Sequence, residues 1–163
     1  MRAKLASLWG RRRSFRPPQR PPRASRVGLP AAAVSGAGPD GKPASVDGLR
    51  AGGEEPVALM FLTSSCHGCR EFWDRLSRPL PGAARVAVIT PGPELEDRRK
   101  VAELAPDTTP VVMSGGAWAE YGVSRSPFAV VVRDGRVARE GPLFSWDDLR
   151  RLLDTPGEPG RAP

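Results

Sequence analysis

The sequence predicts an α/β fold, a mixed sheet with helices on both faces, preceded by a disordered basic tail. Three observations carry this expectation. Val57-Ala58-Leu59-Met60-Phe61-Leu62 is an unbroken apolar run, the pattern of a central strand buried on both faces. It runs almost directly into Cys66-His67-Gly68-Cys69, at the head of a segment with helical periodicity. Further on, residues 128–133 and 137–140 read as strands, and they flank Asp134-Gly135, a two-residue hairpin loop. The order strand, helix, strand, helix, hairpin, helix makes parallel strands with crossovers followed by an antiparallel pair.

Residues 1–29 are rich in Arg and Pro, with proline pairs at 17–18 and 21–22. Such a segment buries too little apolar surface to offset its ordering entropy, so it is expected to be disordered. Leu5, Leu8 and Trp9 are its only hint of an apolar helical turn. A short hairpin follows between residues 31 and 49, turning at Pro39-Asp40-Gly41-Lys42. After the central strand, a helix is expected over residues 66–78. It turns Phe72, Trp73 and Leu76 inward and is closed by Pro79 and Pro81.

Residues 85–90 are the next strand, and Pro91-Gly92-Pro93 turns the chain into a helix near 94–104, with Leu95, Val101 and Leu104 as candidate buried positions. Val111-Val112-Met113 is a short strand, and a small helix is expected around 118–121. Ser145 is placed to cap a last helix, with Asp147 and Asp148 in its first turn, where the helix dipole favours acids. Residues 156–163 read as a loose end. One domain over residues 30–155 accounts for the rest.

The formal charge of +7 is unevenly distributed. The first 26 residues hold nine basic side chains and no acid, leaving 16 basic against 18 acidic residues in the remainder. The body has no basic stripe interleaved with aromatics, so specific nucleic-acid binding is not expected of it. The basic tail suits contact with an anionic membrane surface. Arg12-Arg13-Ser14-Phe15-Arg16 resembles the start of a twin-arginine signal, but prolines follow where an apolar stretch would stand. No window approaches the length of a transmembrane helix. The chain as written therefore reads as soluble and cytoplasmic. An extracytoplasmic, membrane-associated protein is the alternative if its natural start lies upstream.

Cys66 and Cys69 are the only cysteines, and His67 is the only histidine. A thiol at a helix N-terminus faces free backbone N–H groups and the positive end of the dipole, both of which favour the thiolate. Cys66 is therefore the candidate nucleophile. Cys69, one turn into the helix, is placed to resolve a mixed disulfide by attacking Cys66, which makes the pair a redox-active disulfide. A cysteine pair with His67 offers at most three crowded metal ligands, so no metal and no cofactor is expected.

The segment from Phe61 through Cys69, followed by Tyr121-Gly122-Val123-Ser124-Arg125-Ser126-Pro127-Phe128-Ala129-Val130-Val131-Val132-Arg133-Asp134-Gly135, resembles the thioredoxin superfamily. The lead-in Gly41-Lys42-Pro43-Ala44-Ser45-Val46 and the Ser-Pro-Phe-Ala-Val-Val-Val segment are most similar to TlpA-like and MauD-like redoxins. The resemblance spans about residues 30–154. It implies a thioredoxin-like fold and a cis-proline at Ser126-Pro127 facing the dithiol, with the Ser126 backbone free to pair with an extended substrate chain. His67, Gly68, Ser126 and Pro127 are the expected supporting residues, and His67 as imidazolium would make the couple more oxidising.

The pattern departs from thioredoxins proper at two places. Ser65 stands where they carry Trp, and Met60 where they carry a buried acid. This turns the expectation from a general thioredoxin toward a dedicated partner. The expected function is thiol-disulfide exchange with a partner protein by a monomer. The alternatives are a thioredoxin-like interaction module or redox switch without turnover, and a peroxiredoxin-type peroxidase. Against the last, Leu59 occupies the position of that family's required proline.

Overall fold

A computed structural model describes residues 23–49, 55–78 and 84–154 of the chain. Seven strands form one mixed sheet in the order β2-β1-β5-β4-β3-β6-β7. β1 (Val34–Ala37) and β2 (Pro43–Val46) are the expected first hairpin. β3 (Val57–Phe61) lies at the centre, parallel to β4 (Arg85–Thr90) and antiparallel to β6 (Phe128–Arg133). β4 pairs in parallel with β5 (Val111–Met113), and β6 turns into β7 (Arg136–Pro142). Asp134 and Gly135 both take positive φ, 48° and 72°, which a two-residue hairpin loop requires.

The central strand divides its side chains between two cores because successive residues point to opposite faces. Val57, Leu59 and Phe61 join one core with Ile89, Val130 and Tyr121. Ala58, Met60 and Leu62 join the other with Val88, Val131 and Cys69. α3 (Gly115–Glu120) covers the first face through Ala117. α1 (Arg70–Arg75), α2 (Arg98–Leu104) and α4 (Trp146–Asp154) cover the second through Phe72, Trp73, Val101, Leu149 and Leu153. Among the described residues, no helix is long and apolar enough to cross a membrane.

Helix starts differ from expectation, each for a local reason. The helix expected from residue 66 opens as a 3₁₀ turn, His67–Cys69, and becomes α-helical only at Arg70. No side chain caps it, and the Cys69 N–H donates to the Cys66 carbonyl at 3.1 Å, closing the tighter turn. The helix expected from residue 94 starts at Arg98, because the Asp97 carboxylate accepts from the Arg99 and Lys100 N–H groups. Leu95 thus falls in a turn before the helix and is 78% exposed rather than buried. The small helix expected at 118–121 starts at Gly115, where Ser114 accepts from the Ala117 N–H at 3.1 Å. At α4, Ser145 stands just before the first helical residue, and its hydroxyl donates to the Asp148 carboxylate at 3.2 Å, which also accepts from the Phe144 and Ser145 N–H groups at 2.9 Å.

The expected tail divides. Residues 1–22 and 156–163, with Pro79 and Pro81, lie outside the described residues. Residues 23–29, expected to be disordered, pack against the body. The Gly28 N–H donates to the Val137 carbonyl at 2.8 Å, and the Val137 N–H donates to Leu29 at 2.9 Å. Arg23 donates to both oxygens of Glu140, at 2.6 and 2.7 Å, and its guanidinium lies 4.7 Å from the centre of the Phe128 ring. Burial pushes the Glu140 carboxyl up, but the bonds from Arg23 and the Arg26 N–H outweigh it and hold it below the usual carboxylate range.

Candidate active site

β3 delivers the chain to the dithiol. Beyond Phe61 the Leu62 N–H still bonds the Ile89 carbonyl at 3.2 Å, and then residues 63–65 form a loop. Two side chains pin that loop. The Trp73 indole N–H donates to the Thr63 carbonyl at 3.2 Å. The Glu96 carboxylate accepts from the Ser64 N–H at 3.1 Å and from its hydroxyl. Cys66, next along, has an extended backbone that ends the loop and opens the 3₁₀ turn.

The two sulfurs sit in different surroundings. Cys66 is partly exposed, whereas Cys69 is fully buried in the core with Met60, Leu62 and Phe72. Both are thiols in this structure. Partial burial pushes the Cys66 thiol up. Hydrogen bonds from the Cys69 thiol, from Ser126 and from the Cys69 and Gly68 N–H groups outweigh this and leave it below the ordinary value of 9.0. Burial pushes the Cys69 thiol up as well, here to about 12, and its hydrogen bond to Cys66 adds to the rise. One sulfur is thus poised to ionise while the other holds its proton.

Ser126 and Pro127 arrive from the loop before β6, some sixty residues away in sequence. The Cys66 Sγ lies 3.7 Å from the Ser126 carbonyl oxygen. The Ser126–Pro127 peptide is cis. Gly68 faces Pro127 closely enough that a Cβ there would lie 3.6 Å from Pro127 Cδ and 3.9 Å from Cys66 Sγ. Cys66, Cys69, Gly68, Ser126 and Pro127 therefore converge on one site. His67 is exposed, and the hydrogen bonds that hold the Cys66 sulfur come from its neighbours instead.

Glu96 escaped the sequence reading. It is only 8% exposed, although Glu94-Leu95-Glu96-Asp97-Arg98-Arg99-Lys100 looks like a solvated charge run. The one local signal was Asp97, which by capping α2 places Glu96 outside the helix. Glu96→Ala removes the acceptor for two donors of Ser64, a loss of roughly 2 kcal/mol for bonds to a charged group. Denaturant unfolding should show that loss, with faster alkylation of Cys66 as its loop loosens. Glu96→Gln, which keeps one acceptor oxygen, should fall between the two.

No protein-family model matches the sequence, and no curated protein matches it. Solved structures do. One is the thioredoxin domain of a thiol-disulfide oxidoreductase from Bacteroides vulgatus, 13% identical with a TM-score of 0.56, the match covering 80% of this chain and 100% of that one. The exposed lipoprotein thioredoxin Etrx1 of Streptococcus pneumoniae is 21% identical, with a TM-score of 0.57 and coverage of 76% and 100%. A secreted Mycobacterium tuberculosis disulfide oxidoreductase, homologous to DsbE of E. coli, is 20% identical, with a TM-score of 0.54 and coverage of 74% and 93%. At these identities the likeness is one of fold. The chain has a thioredoxin-like fold.

Proposed function

We propose that this protein exchanges a Cys66–Cys69 dithiol or disulfide with cysteines of a partner protein, as TlpA-like and DsbE-like oxidoreductases do. The observation that carries the reading is the contrast between the two sulfurs: Cys66 partly exposed and held below the ordinary thiol value, Cys69 buried and pushed up to about 12. In the reducing direction, the Cys66 thiolate attacks a partner disulfide. It forms a mixed disulfide and releases one partner thiolate, which takes up a proton. That attack consumes the negative charge on Cys66, so one of the two effects that hold the proton on Cys69 is gone. Cys69 then gives up its proton and attacks Cys66 Sγ, the Cys66–partner bond breaks, and the second partner sulfur leaves and takes up that proton, leaving the Cys66–Cys69 disulfide and a partner that has gained two electrons. The oxidising direction runs the same steps backwards.

Whatever lowers the Cys66 thiol stabilises the reduced form and makes the couple more oxidising. His67 would add to this as a cation beside the sulfur. Arg23 and Arg26 are paired with Glu140 and Glu120, so a membrane-surface contact by the basic segment would fall to the arginines before them.

The Cys69→Ala variant, incubated with extract of the source cell, tests the proposal. Mixed disulfides should accumulate, should be released by reductant, and should vanish when Cys66→Ser is added. Partners retained regardless of reductant would instead support an interaction module without turnover.

A further inference from the structure

Beside the dithiol lies an open groove of about 900 Å³, and its composition is lopsided. It begins at Gly68 and Pro127, next to the Cys66 sulfur. Pro127, Phe128 and Leu143 give it an apolar lining. Phe144 stands at its border 84% exposed, more than any other large apolar side chain among the described residues. The Phe144 N–H is tied to the Asp148 carboxylate, which holds the backbone from which this side chain projects.

The charged lining is all of one sign. Among the described residues, Arg23 and Arg125 border the groove, and no acidic residue does. The Arg23 charge is already matched by Glu140. Arg125 is exposed, and no hydrogen bond or ion pair joins it to a described residue. An apolar trough with one unmatched guanidinium, opening at a nucleophilic sulfur, complements a chain that is apolar and anionic around its own cysteine. The volume falls at the upper end of ligand-sized sites, enough for a short extended segment.

We propose that this groove selects partner cysteines lying in an extended segment that carries a large apolar residue and an acidic residue near the cysteine. Phe144, with Pro127 and Phe128, receives the apolar residue, and Arg125 receives the acid. The inference rests on the exchange reading for its biological use, but the binding preference belongs to the groove itself.

Short fluorescein-labelled peptides with serine in place of cysteine test it without any exchange step. They carry Glu or Lys, and Phe or Ser, at the flanking positions, and fluorescence anisotropy reads their binding. The peptide with Glu and Phe should bind best. Glu should be favoured over Lys by about fivefold at low salt, the scale of one exposed ion pair, and the preference should fade as salt rises. Arg125→Glu should reverse the charge preference, whereas Arg98→Glu, an equal charge change outside the groove, should leave it intact. Phe144→Ser should abolish the preference for Phe. Equal binding of Glu and Lys peptides, an unchanged preference in Arg125→Glu, or no binding at millimolar peptide overturns the proposal. The cysteine forms of the same peptides, presented as mixed disulfides, then separate the two readings. Selective binding without exchange defeats the exchange reading and leaves the groove assignment standing. Exchange without selectivity does the reverse.

Discussion

At neutral pH, iodoacetamide should modify Cys66 and leave Cys69 almost untouched in the folded, reduced protein. The thiolate is the reactive species, so the rate follows the ionised fraction and the access of each sulfur. A thiol titrating near 12 is ionised at pH 7 in about one molecule in 10⁵, against about one in 100 for a group at the ordinary 9.0. Ionisation alone therefore slows Cys69 by about a thousandfold relative to an ordinary thiol, and its complete burial slows it further. Cys66 moves the opposite way. Raising the pH deprotonates both, so a pH series followed by mass spectrometry should place the Cys66 labelling midpoint below 9.0 and show Cys69 still resistant there. The Cys66→Ser variant isolates the buried sulfur, and unfolding it in denaturant should restore ordinary labelling. Comparable labelling of both cysteines in the folded protein would remove the asymmetry on which the exchange mechanism depends.

The largest stability loss is expected from Phe61→Ala. Phe61 is fully buried at the end of β3, with its ring centre 5.6 Å from Trp118 in an edge-on contact and 5.7 Å from Tyr121. Truncation removes its transfer free energy, leaves a cavity between β3 and α3, and breaks both aromatic contacts. Core Phe-to-Ala changes cost about 3–5 kcal/mol, and loss of the ring pairing argues for the upper part of that range. That is about a thousandfold or more in the folding equilibrium. Urea unfolding should show the midpoint falling with little change in slope. Phe61→Leu should cost markedly less, because it refills most of the space. Phe144→Ser, at an exposed position, should stay within about 0.5 kcal/mol, which keeps the binding tests readable.

The elements legible in the sequence were those specified by neighbouring residues. The apolar run of β3 announces a strand buried on both faces, and Asp134-Gly135 supplies the two positive φ values that a tight hairpin needs. Cys66 and Cys69 carry their chemistry in their spacing, and Pro127 was placed by the pattern around it. What escaped the sequence was decided by partners far along the chain. Glu96 is buried because Ser64, 32 residues away, donates to it twice. Arg23 is ordered because Glu140, 117 residues away, accepts two of its hydrogen bonds. Read locally, both belong to charge-rich stretches that look solvated. Leu95 failed differently: helical periodicity was extended across residues 94–97, where the Asp97 cap forbids it.

The bonds from residues 28–31 to the β7 strand have a consequence for where the folded unit can be cut. β7 is the last strand of the sheet, and its outward backbone groups would otherwise meet solvent unpaired. Gly28 and Leu29 pair with Val137 at the start of that edge, Ala31 bonds Gly135 in the hairpin loop, and Arg23 anchors the same segment to Glu140. An exposed edge strand is a template for another chain. The segment that reads as the end of a tail thus covers the start of that edge, and its removal should expose Val137 to pairing with another chain. Among the described residues, packing against the body already begins at Arg23, seven residues before the point where the composition changes.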